Sequence, residues 1–502
     1  MPDIAFGPGF YERETVGVPP RELINLFPEA VPNMPDRQFI LMRTPGLTTY
    51  KDLSGTITRG LGTSVDQFSN DMFVVYDNQF KRINLAGTVG SNITTTQGTS
   101  GQNVANDSLP VTMAFAPIQE MAFTSGGKVY IYDGTDLYDL YAFDNDLGNL
   151  NYVNVVYLAG RFVFIPNDDD QFWWSETLDG ANIDALNFAT AERKGSNLRA
   201  GTEFRGDLWL FEKDNIEIWQ PTGRADLPFQ LRPGGIIDKG IIGPWAHTRV
   251  GQSLFWMGED RVVYRAEGAS AVPISTPAIS EHLQNINAAV VSAFSYVEDG
   301  HQFVVFNVAE PSAEVGAFVY DTTTGEWHER LSSAETTGGG GQGLVPFAVR
   351  PGYVPWNYVW WNNNHYVGNR YDAAIHRLDT DVYYEQSVDA ASKFELNHVA
   401  TIFAPTRQYA PCFNFTVDAT RGVGNADDAN PVMTLTWSDN LGRDYQTSQA
   451  RTLSLGASGE YTTRATTAHL GRMTPPGRVF KIEFSDKTEF ALFGARYNEE
   501  NP

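Results

Sequence analysis

Short runs of apolar and aromatic residues recur through the middle of the chain and predict β-strands. Most are followed by a turn rich in Asp, Asn or Gly and then by a second strand, as at Asp133-Gly134 and Asp214-Asn215. These residue types tolerate the positive φ angles of tight hairpins, so the pattern predicts a series of β-hairpins. The seven strongest runs begin, at intervals of 56, 33, 46, 46, 49 and 55 residues, at Phe73, Val129, Phe162, Leu208, Leu254, Phe303 and Tyr358.

A repeat of about 45 residues built from short strands is typical of β-propeller blades, which have about four strands each. One blade cannot cover both of its own faces, and radial stacking buries them against neighbouring blades. Seven hairpins between Phe73 and Leu378 predict a propeller of six or seven blades over residues 51–390. A pair of stacked sandwiches is the alternative interpretation of the same strands. One short helix is expected within Ala278–Phe294.

The two ends of the chain have patterns of their own. Residues 1–50 are rich in proline, which fixes φ and removes hydrogen-bond donors, and carry apolar anchors such as Ile24 and Phe27. They predict an extended arm that packs on the body or on a neighbouring subunit. Residues 391–497 carry strand patterns separated by turns and predict a β-sandwich, and residues 498–502 a loose tail. The expected fold class is all-β.

The balance of acidic and basic residues argues against some classes of binding partner. The chain has 36 Lys and Arg against 60 Asp and Glu, a net charge of −24, and a pI of about 4.7. Surfaces that bind nucleic acids or anionic membranes concentrate basic residues, so tight binding to either is not expected. The single cysteine, Cys412, allows no internal disulfide and favours folding in the cytoplasm. Neither a signal peptide nor a transmembrane helix is expected.

A search for catalytic motifs finds no G-x-S-x-G and no H-E-x-x-H. Gly338, Gly340 and Gly343 match G-x-G-x-x-G, but they lie in a glycine run with no strand closely before it and no helix after it, which indicates a flexible loop. Cys412 has no cysteine partner and the histidines form no close pairs, so a zinc site is not expected. We therefore assign no catalytic, cofactor-binding or metal-binding residues and expect a protein that is not an enzyme and has no cofactor.

Some acidic and aromatic residues allow an alternative. Asp144, Asp146 and Gly148 weakly resemble a calcium loop and Asp168–Asp170 could hold a cation, although solvated turns are the favoured interpretation. Trp173-Trp174 and Trp360-Trp361 should each place one ring in a blade core and one outward, where it would bind sugar or, as we favour, contact a subunit. Distant carboxylates could also meet as a catalytic pair. A propeller glycosidase or glycan-binding module acting on host polysaccharide is therefore the alternative function.

Two turns are expected to be structural. Ser438–Tyr445 resembles an Asp-box turn, in which a short polar side chain bonds the local backbone and an aromatic ring closes the hairpin. Asp321–Trp327 has a similar pattern and predicts a hairpin turn between two strands.

Seven stretches carry a family pattern: Ile24–Glu29, Arg43–Tyr50, Gly160–Glu176, Leu198–Trp219, Leu254–Ala266, Val272–Ile279 and, in the last domain, the Ser438–Tyr445 turn. Together they resemble the packaged-DNA stabilisation proteins of short-tailed bacteriophages, also described as tail nozzle or tail accessory proteins. The resemblance implies a ring of subunits, a homohexamer, below the portal and adaptor proteins at the head-to-tail junction. Such a ring continues the DNA channel, helps to retain the packaged genome, and anchors needle, spike or fibre proteins in the virion tail. It also implies assembly in the host cytoplasm, no membrane insertion and no catalytic residues.

In a DNA channel, the excess negative charge would have a physical role. A basic channel wall would make many phosphate contacts and hold the DNA, whereas an acidic wall repels the backbone and keeps it centred. We therefore expect part of the excess charge to line the channel and double-stranded DNA to pass without tight binding. Retention of the genome would then come from a plug or a closed gate.

Overall fold

The computed structural model describes residues 3–4, 6–7, 9–13, 17–31, 39–143, 146–191, 195–284, 286–308, 316–333 and 352–498. These residues form 42 β-strands, one α-helix and three short 3-10 helices. No helix among them is both long enough and apolar enough to cross a membrane. The all-β fold class expected from the sequence is confirmed.

The arm forms strands rather than a free tail, and all of them except β3, which pairs with β4, pair with a distant part of the chain. The pairing partners lie in the last two blades and in the C-terminal sheets. The arm strands are β1 (Asp3–Ile4), β2 (Leu23–Ile24), β3 (Leu26–Ala30), β4 (Phe39–Arg43) and β5 (Gly46–Asp52).

Seven antiparallel sheets follow one another along the chain and form the blades of a propeller. Neighbouring blades pack through their first strands, and the first strand of the last blade packs on that of the first, which closes the ring. The blades are β6 (Thr58–Thr63), β7 (Met72–Tyr76), β8 (Gln79–Ile83); β9 (Met113–Phe115), β10 (Met121–Ser125), β11 (Lys128–Tyr132), β12 (Leu137–Asp139); β13 (Tyr152–Leu158), β14 (Arg161–Pro166), β15 (Gln171–Trp174), β16 (Phe188–Thr190); β17 (Leu198–Phe204), β18 (Asp207–Glu212), β19 (Ile216–Pro221), β20 (Phe229–Ile237); β21 (His247–Val250), β22 (Ser253–Met257), β23 (Val263–Glu267), β24 (Ser270–Pro273); β25 (Ser292–Glu298), β26 (His301–Asn307), β27 (Ala317–Asp321), β28 (Glu326–Arg330); and β29 (Pro355–Trp361), β30 (Asn364–Asn369), β31 (Ala374–Asp379).

The last blade takes its fourth strand from the arm. β5 pairs antiparallel with β31, and the register places Leu47 opposite Leu378 in one hydrophobic cluster. Closing a propeller with a strand from the other end of the chain joins the first and last blades non-covalently. The β-strand ladder therefore makes the ring depend on residues more than 300 positions apart.

The helix lies between the fifth and sixth blades. Thr276 caps α1 (Pro277–His282) by accepting a hydrogen bond from the amide of Ile279, and proline occupies the first helical position. Ala278 and Ile279 are buried against the propeller. The helix expected in this region is confirmed, and it is shorter than the apolar pattern because a 3-10 turn at Ala288–Val290 precedes β25.

Two further sheets follow the propeller. We call these two sheets the C-terminal module, and they are formed by residues 398–497 together with β1 to β4. One sheet has the order β2-β34-β41-β37-β38, and the other β3-β4-β42-β36-β39 with β1 also on β42. The sheets contact through aromatic rings, such as Phe415 and Phe480 with centroids 4.0 Å apart. The strands after the propeller are β32 (Tyr384–Gln386), β33 (Lys393–Glu395), β34 (His398–Pro405), β35 (Ala410–Pro411), β36 (Asn414–Ala419), β37 (Val432–Ser438), β38 (Arg451–Ser454), β39 (Ala465–Ala468), β40 (Arg472–Met473), β41 (Gly477–Phe484) and β42 (Ala491–Tyr497).

The expected division of the chain at residues 50 and 390 stays a prediction. Strand β5 spans residue 50, and the sheet of the last blade continues through β32 and β33 to Glu395. The first sheet of the C-terminal module is also continuous with the sixth blade, because β2 pairs with β28 on one side and β34 on the other.

Candidate functional site: the arm junction

The first tryptophan pair corrects an expectation from the sequence. Trp173 and Trp174 are both buried, with 7% and 2% of their surface exposed. They do point to opposite faces of β15, but each face is covered by a different neighbour: Trp173 stacks on Phe188, and Trp174 meets Phe229 edge to face. The expectation of one outward ring is wrong here because both faces of a propeller blade are interior.

The second pair follows the expected alternation. Trp361 is buried and its indole N–H donates to the backbone oxygen of Asn70 at 2.7 Å. Trp360 is half exposed and packs edge to face on His365, with ring centroids 4.5 Å apart. A single outward ring lacks the concave, multi-contact form of ligand pockets.

The acidic turns make local hydrogen bonds. Asp169 accepts one from the amide of Gln171, and Asp168 accepts one from the side chain of Asn197. Over the described residues, no group of three or more His, Cys, Asp or Glu side chains is placed to hold a metal ion. Asp144 of the calcium-like pattern and the glycines of the G-x-G-x-x-G match, Gly338, Gly340 and Gly343, lie outside the described residues.

The two structural turns behave as the sequence predicts. Ser438 Oγ accepts from the amide of Gly442 at 3.0 Å, and burial raises the pKa of Tyr445, which closes the turn. Asp321 accepts from the amide of Thr323 at 2.9 Å at the start of the second hairpin turn. Burial also raises the pKa of the Cys412 thiol to about 11, so the reactive thiolate is scarce at neutral pH.

The most elaborate polar arrangement lies where the arm enters the body, and we call it the arm junction: Glu22–Asn25 with the ends of β28 and β34. Asn25 is buried, with only 2% of its surface exposed, and has a positive φ of 54° that asparagine tolerates better than most residues. Its side-chain amide donates to the carbonyls of Leu331 at 2.9 Å and Asn397 at 2.8 Å. Its side-chain oxygen accepts from the amide of Leu331 at 3.0 Å. One side chain thus joins the arm to the residue that follows β28 and to the residue that precedes β34.

Other contacts fix the arm before Asn25. Lys481 Nζ lies 2.9 Å from a carboxylate oxygen of buried Glu22. The amide of Phe10 donates to the carbonyl of Trp327 at 2.7 Å, and the Phe10 ring packs on Phe318. The arm therefore packs on the body of its own chain in this structure.

A cleft of about 330 Å³ opens beside the arm junction, between the propeller and the C-terminal module. Glu298, half-buried at the end of β25, lies in its wall, and burial raises the pKa of its carboxyl to about 7 despite the opposing effect of Arg330. Arg43 stacks over the Tyr383 ring at 3.9 Å and donates to the carbonyl of Val382 at 2.8 Å. The cleft thus holds a carboxyl that titrates near neutral pH, at the boundary between the propeller and the C-terminal module.

No local signal in the sequence could have predicted this site. The cleft is assembled from four separated segments, around Phe27–Pro45, Glu298–Phe303, Thr380–Tyr383 and Glu489–Ala491. The proline-rich composition predicted an arm, and the stretches Ile24–Glu29 and Arg43–Tyr50 supported it through family resemblance, but neither indicated which parts of the chain the arm would contact.

Fold and site together define a seven-bladed β-propeller protein whose ring and C-terminal module are locked by its own N-terminal arm. The chain belongs to the phage stabilisation family, whose model is described as "Bacteriophage P22 Gp10, beta-propeller" and matches residues 8–383. The family resemblance of the sequence is thereby confirmed over the arm and the propeller. The C-terminal module lies largely beyond the matched residues.

Similarity to solved structures is distant. The chain is 13% identical to the computationally designed Ika8 protein (TM-score 0.38, covering 66% of this chain and 99% of that one). It is 10% identical to BamB from Moraxella catarrhalis (TM-score 0.37, 68% and 91%) and 10% identical to the WD40 β-propeller domain of Doa1 (TM-score 0.38, 66% and 97%). A comparison with curated proteins gives no match.

Proposed function

We propose that this chain is a structural component of a phage tail that forms a ring at the head-to-tail junction. The ring continues the DNA channel, helps to retain the packaged genome until ejection, and anchors other tail proteins. The family match over residues 8–383 is the observation that carries this proposal. Its partners would be further copies of itself, in a homohexamer, the portal and adaptor above, and needle, spike or fibre proteins.

The arm junction supports a mechanical role. A tail component must keep its shape while packaged DNA presses on the channel and while it moves through. Here the propeller is closed by β5, and the C-terminal module is joined to the sixth blade through β2 and Asn25. Both connections consist of buried hydrogen bonds and apolar contacts, which resist local opening.

The charge supports passage of DNA without adhesion. With 60 acidic against 36 basic residues, most of the surface potential is negative, and we propose that part of it lines the channel of the assembled ring. Folding and assembly would take place in the host cytoplasm, and the finished chain would reside in the virion tail.

The first tryptophan pair no longer favours the glycosidase alternative, because Trp173 and Trp174 are both buried and neither offers an outward ring for a sugar. It remains separable by experiment: release of reducing sugar from host polysaccharide would favour it.

Two measurements on phage particles test the proposal. Electron microscopy of purified virions should show this chain as a ring in the tail, in contact with the portal–adaptor assembly. Particles assembled without the chain should package DNA and then lose it, which a nuclease-protection assay measures. A chain absent from purified virions, or particles that retain DNA equally well without it, would reject the proposal.

A further inference from the structure

A second pocket lies on the outer face of the C-terminal sheet that contains β36, β39 and β42. It has a volume of about 180 Å³, and we call it the arginine pocket. Its position near the end of the chain places it beyond the residues that match the phage family. It is lined by Thr416, Asp418, Arg421, Arg464, Ala465 and Arg496.

Strand register explains how the pocket forms. Alternate residues of β36 face the core, so Thr416 and Asp418 point to the opposite face of the sheet. On β42, Arg496 pairs with Thr416 and Gly494 pairs with Asp418. Gly494 has no side chain, so the space beside the Asp418 carboxylate stays open on that side.

The other edge of the pocket comes from the strand at the border of the sheet. Val417 pairs with Ala465 at the start of β39, which brings Arg464 beside Asp418. Arg421 follows the end of β36 and reaches back to the same carboxylate. Three guanidinium groups from three chain segments therefore converge on one pocket.

The pocket has more positive than negative groups among its described lining residues. Asp418 is the one carboxylate there, with only 7% of its side chain exposed, and it lies 3.0 Å from Arg496 and 3.5 Å from Arg421. Arg464 is exposed and has no ion-pair partner within the described part of the chain. Planar guanidinium groups bind carboxylate and phosphate oxygens in pairs, so this arrangement suits an added anionic group.

We propose that the arginine pocket binds a carboxylate side chain from a second copy of this chain, an inference that rests on the proposed ring. Each copy has 60 Asp and Glu against 36 Lys and Arg, so a neighbouring copy can offer an acidic side chain. A basic pocket cannot pair with itself and must meet a different surface. Such heterologous contacts generate rings when the rotation closes.

The surroundings of the pocket also fit a protein partner. Tyr461 is 71% exposed and its ring lies against Gly422, next to Arg421, where a Cβ atom would come within 2.9 Å of the ring. Tyrosine and arginine are enriched at the energetic centres of protein interfaces. A DNA phosphate is the less favoured occupant, because a duplex brings an unbroken row of phosphates against a chain of net charge −24, whereas a second copy also carries 36 Lys and Arg and can offer one carboxylate among them.

The test compares two double variants of the full chain with equal change in charge. Arg421→Gln with Arg464→Gln removes the two pocket arginines that extend beyond the Arg496–Asp418 pair. Arg224→Gln with Arg443→Gln removes two exposed arginines that lie outside the pocket. The pocket variant should keep a thermal midpoint close to that of the wild type because Arg496 still pairs with Asp418, and the control variant should do so because its two side chains are exposed.

Self-association is measured by sedimentation velocity at low and at high salt. At low salt the pocket variant should raise the dissociation constant of self-association about tenfold or more, the control variant less than about threefold, and the difference should shrink at high salt because ion pairs are screened. Wild-type chain that remains monomeric at every concentration, or equal weakening by both variants, would overturn the inference.

Two further measurements are needed. The first shows whether the pocket binds a carboxylate of a second copy or a phosphate ligand, and the second tests the proposed function separately from this inference. Titration with inorganic phosphate and with a short DNA duplex should give no binding that depends on Arg421 and Arg464; such binding without any effect on self-association would assign the pocket to phosphate instead. The presence of the chain in purified virions is measured independently. A chain found in the tail whose pocket variant associates normally would reject this inference and leave the proposed function intact.

Discussion

At the scale of single residues, Asn25 connects three separate segments of the chain. Its side chain makes three hydrogen bonds to backbone groups, two to Leu331 just after β28 and one to Asn397 just before β34. The two bonds to Leu331 are buried, so removing the side chain leaves a backbone donor and a backbone acceptor there without partners and without water.

Asn25→Ala should therefore lower the free energy of unfolding. Asn363→Ala is a matched control, because Asn363 also has a positive φ, of 58°, but lies in an exposed turn. Alanine at positive φ costs both variants about 1–2 kcal/mol. The loss of the buried bonds should cost Asn25→Ala about 2–3 kcal/mol more, measured by urea denaturation. Equal effects of the two substitutions would show that the bonds contribute nothing.

Glu298 predicts a pH dependence. Its pKa in the folded protein is raised from 4.5 to about 7 by burial. The folded state thus holds more protons than the unfolded state between these values, and stability falls as pH rises from about 4.5 to 7. For a half-buried carboxyl that is partly screened by solvent, the loss should be about 1–3 kcal/mol.

Glu298→Gln removes this titration. The variant should gain stability relative to wild type as the pH rises from 5 to 8, measured by thermal unfolding across that range. Glu267→Gln, at an exposed position without a charged partner in the described structure, should give a constant difference from wild type. A constant difference for Glu298→Gln as well would contradict the assignment.

The tryptophan pairs show which structural features a residue pattern predicts and which it does not. Alternation along a strand correctly places neighbouring rings on opposite faces. It does not say whether a face is open to solvent, and that depends on how the blades stack: Trp173 faces one neighbouring blade and Trp174 the other.

At the scale of elements, the apolar runs locate all seven blades because the inner strands of a blade are buried on both faces and read as continuous hydrophobic stretches. The uneven spacing also has a cause. The run at Val129 is the third strand of its blade, whereas the runs at Phe73 and Phe162 are second strands, which lengthens the interval before Val129 and shortens the one after it. The long interval before Tyr358 does not arise in this way, because that run is the first strand of its blade.

Long-range pairing could not be predicted in the same way. The proline-rich arm shows no strand periodicity, and nothing local indicates that β5 pairs with β31 or that β2 pairs with β28 and β34. The polar sequence of β39 (Ala465–Ala468) also gave no strand signal, so the arginine pocket that its register creates was not foreseen.

The closing strand gives a prediction for an element. Leu47 in β5 is 1% exposed and packs with the core of the last blades. Leu47→Ala should lower the free energy of unfolding by about 2–5 kcal/mol and increase amide exchange in β31, whose pairing partner is loosened. Leu186→Ala deletes the same atoms at a position that is 80% exposed and should change stability by less than about 0.5 kcal/mol. Unchanged exchange in β31 would show that β5 does not close the ring.

At the scale of the whole molecule, the net charge of −24 combines with a fold held together by its own termini. The buried interior stabilises the fold, so the surface charge can determine solubility and which molecules the surface contacts. The arginine pocket then represents a local reversal of sign within a repelling surface. This contrast is what would make one contact between copies selective while contact with DNA stays weak.

Weak contact with DNA is the prediction at this scale. Non-specific binding to duplex DNA arises from Lys and Arg that displace counterions from phosphates, and non-specific complexes have dissociation constants of about 1–100 µM at physiological salt. A surface with a large excess of carboxylates repels the duplex instead, so a fluorescently labelled duplex should show no change in anisotropy up to about 100 µM protein at physiological salt. Lowering the salt extends the range of repulsion and should not create binding. A complex of micromolar affinity that weakens steeply with added salt would mean that a basic surface faces the DNA, and the acidic channel wall would have to be abandoned.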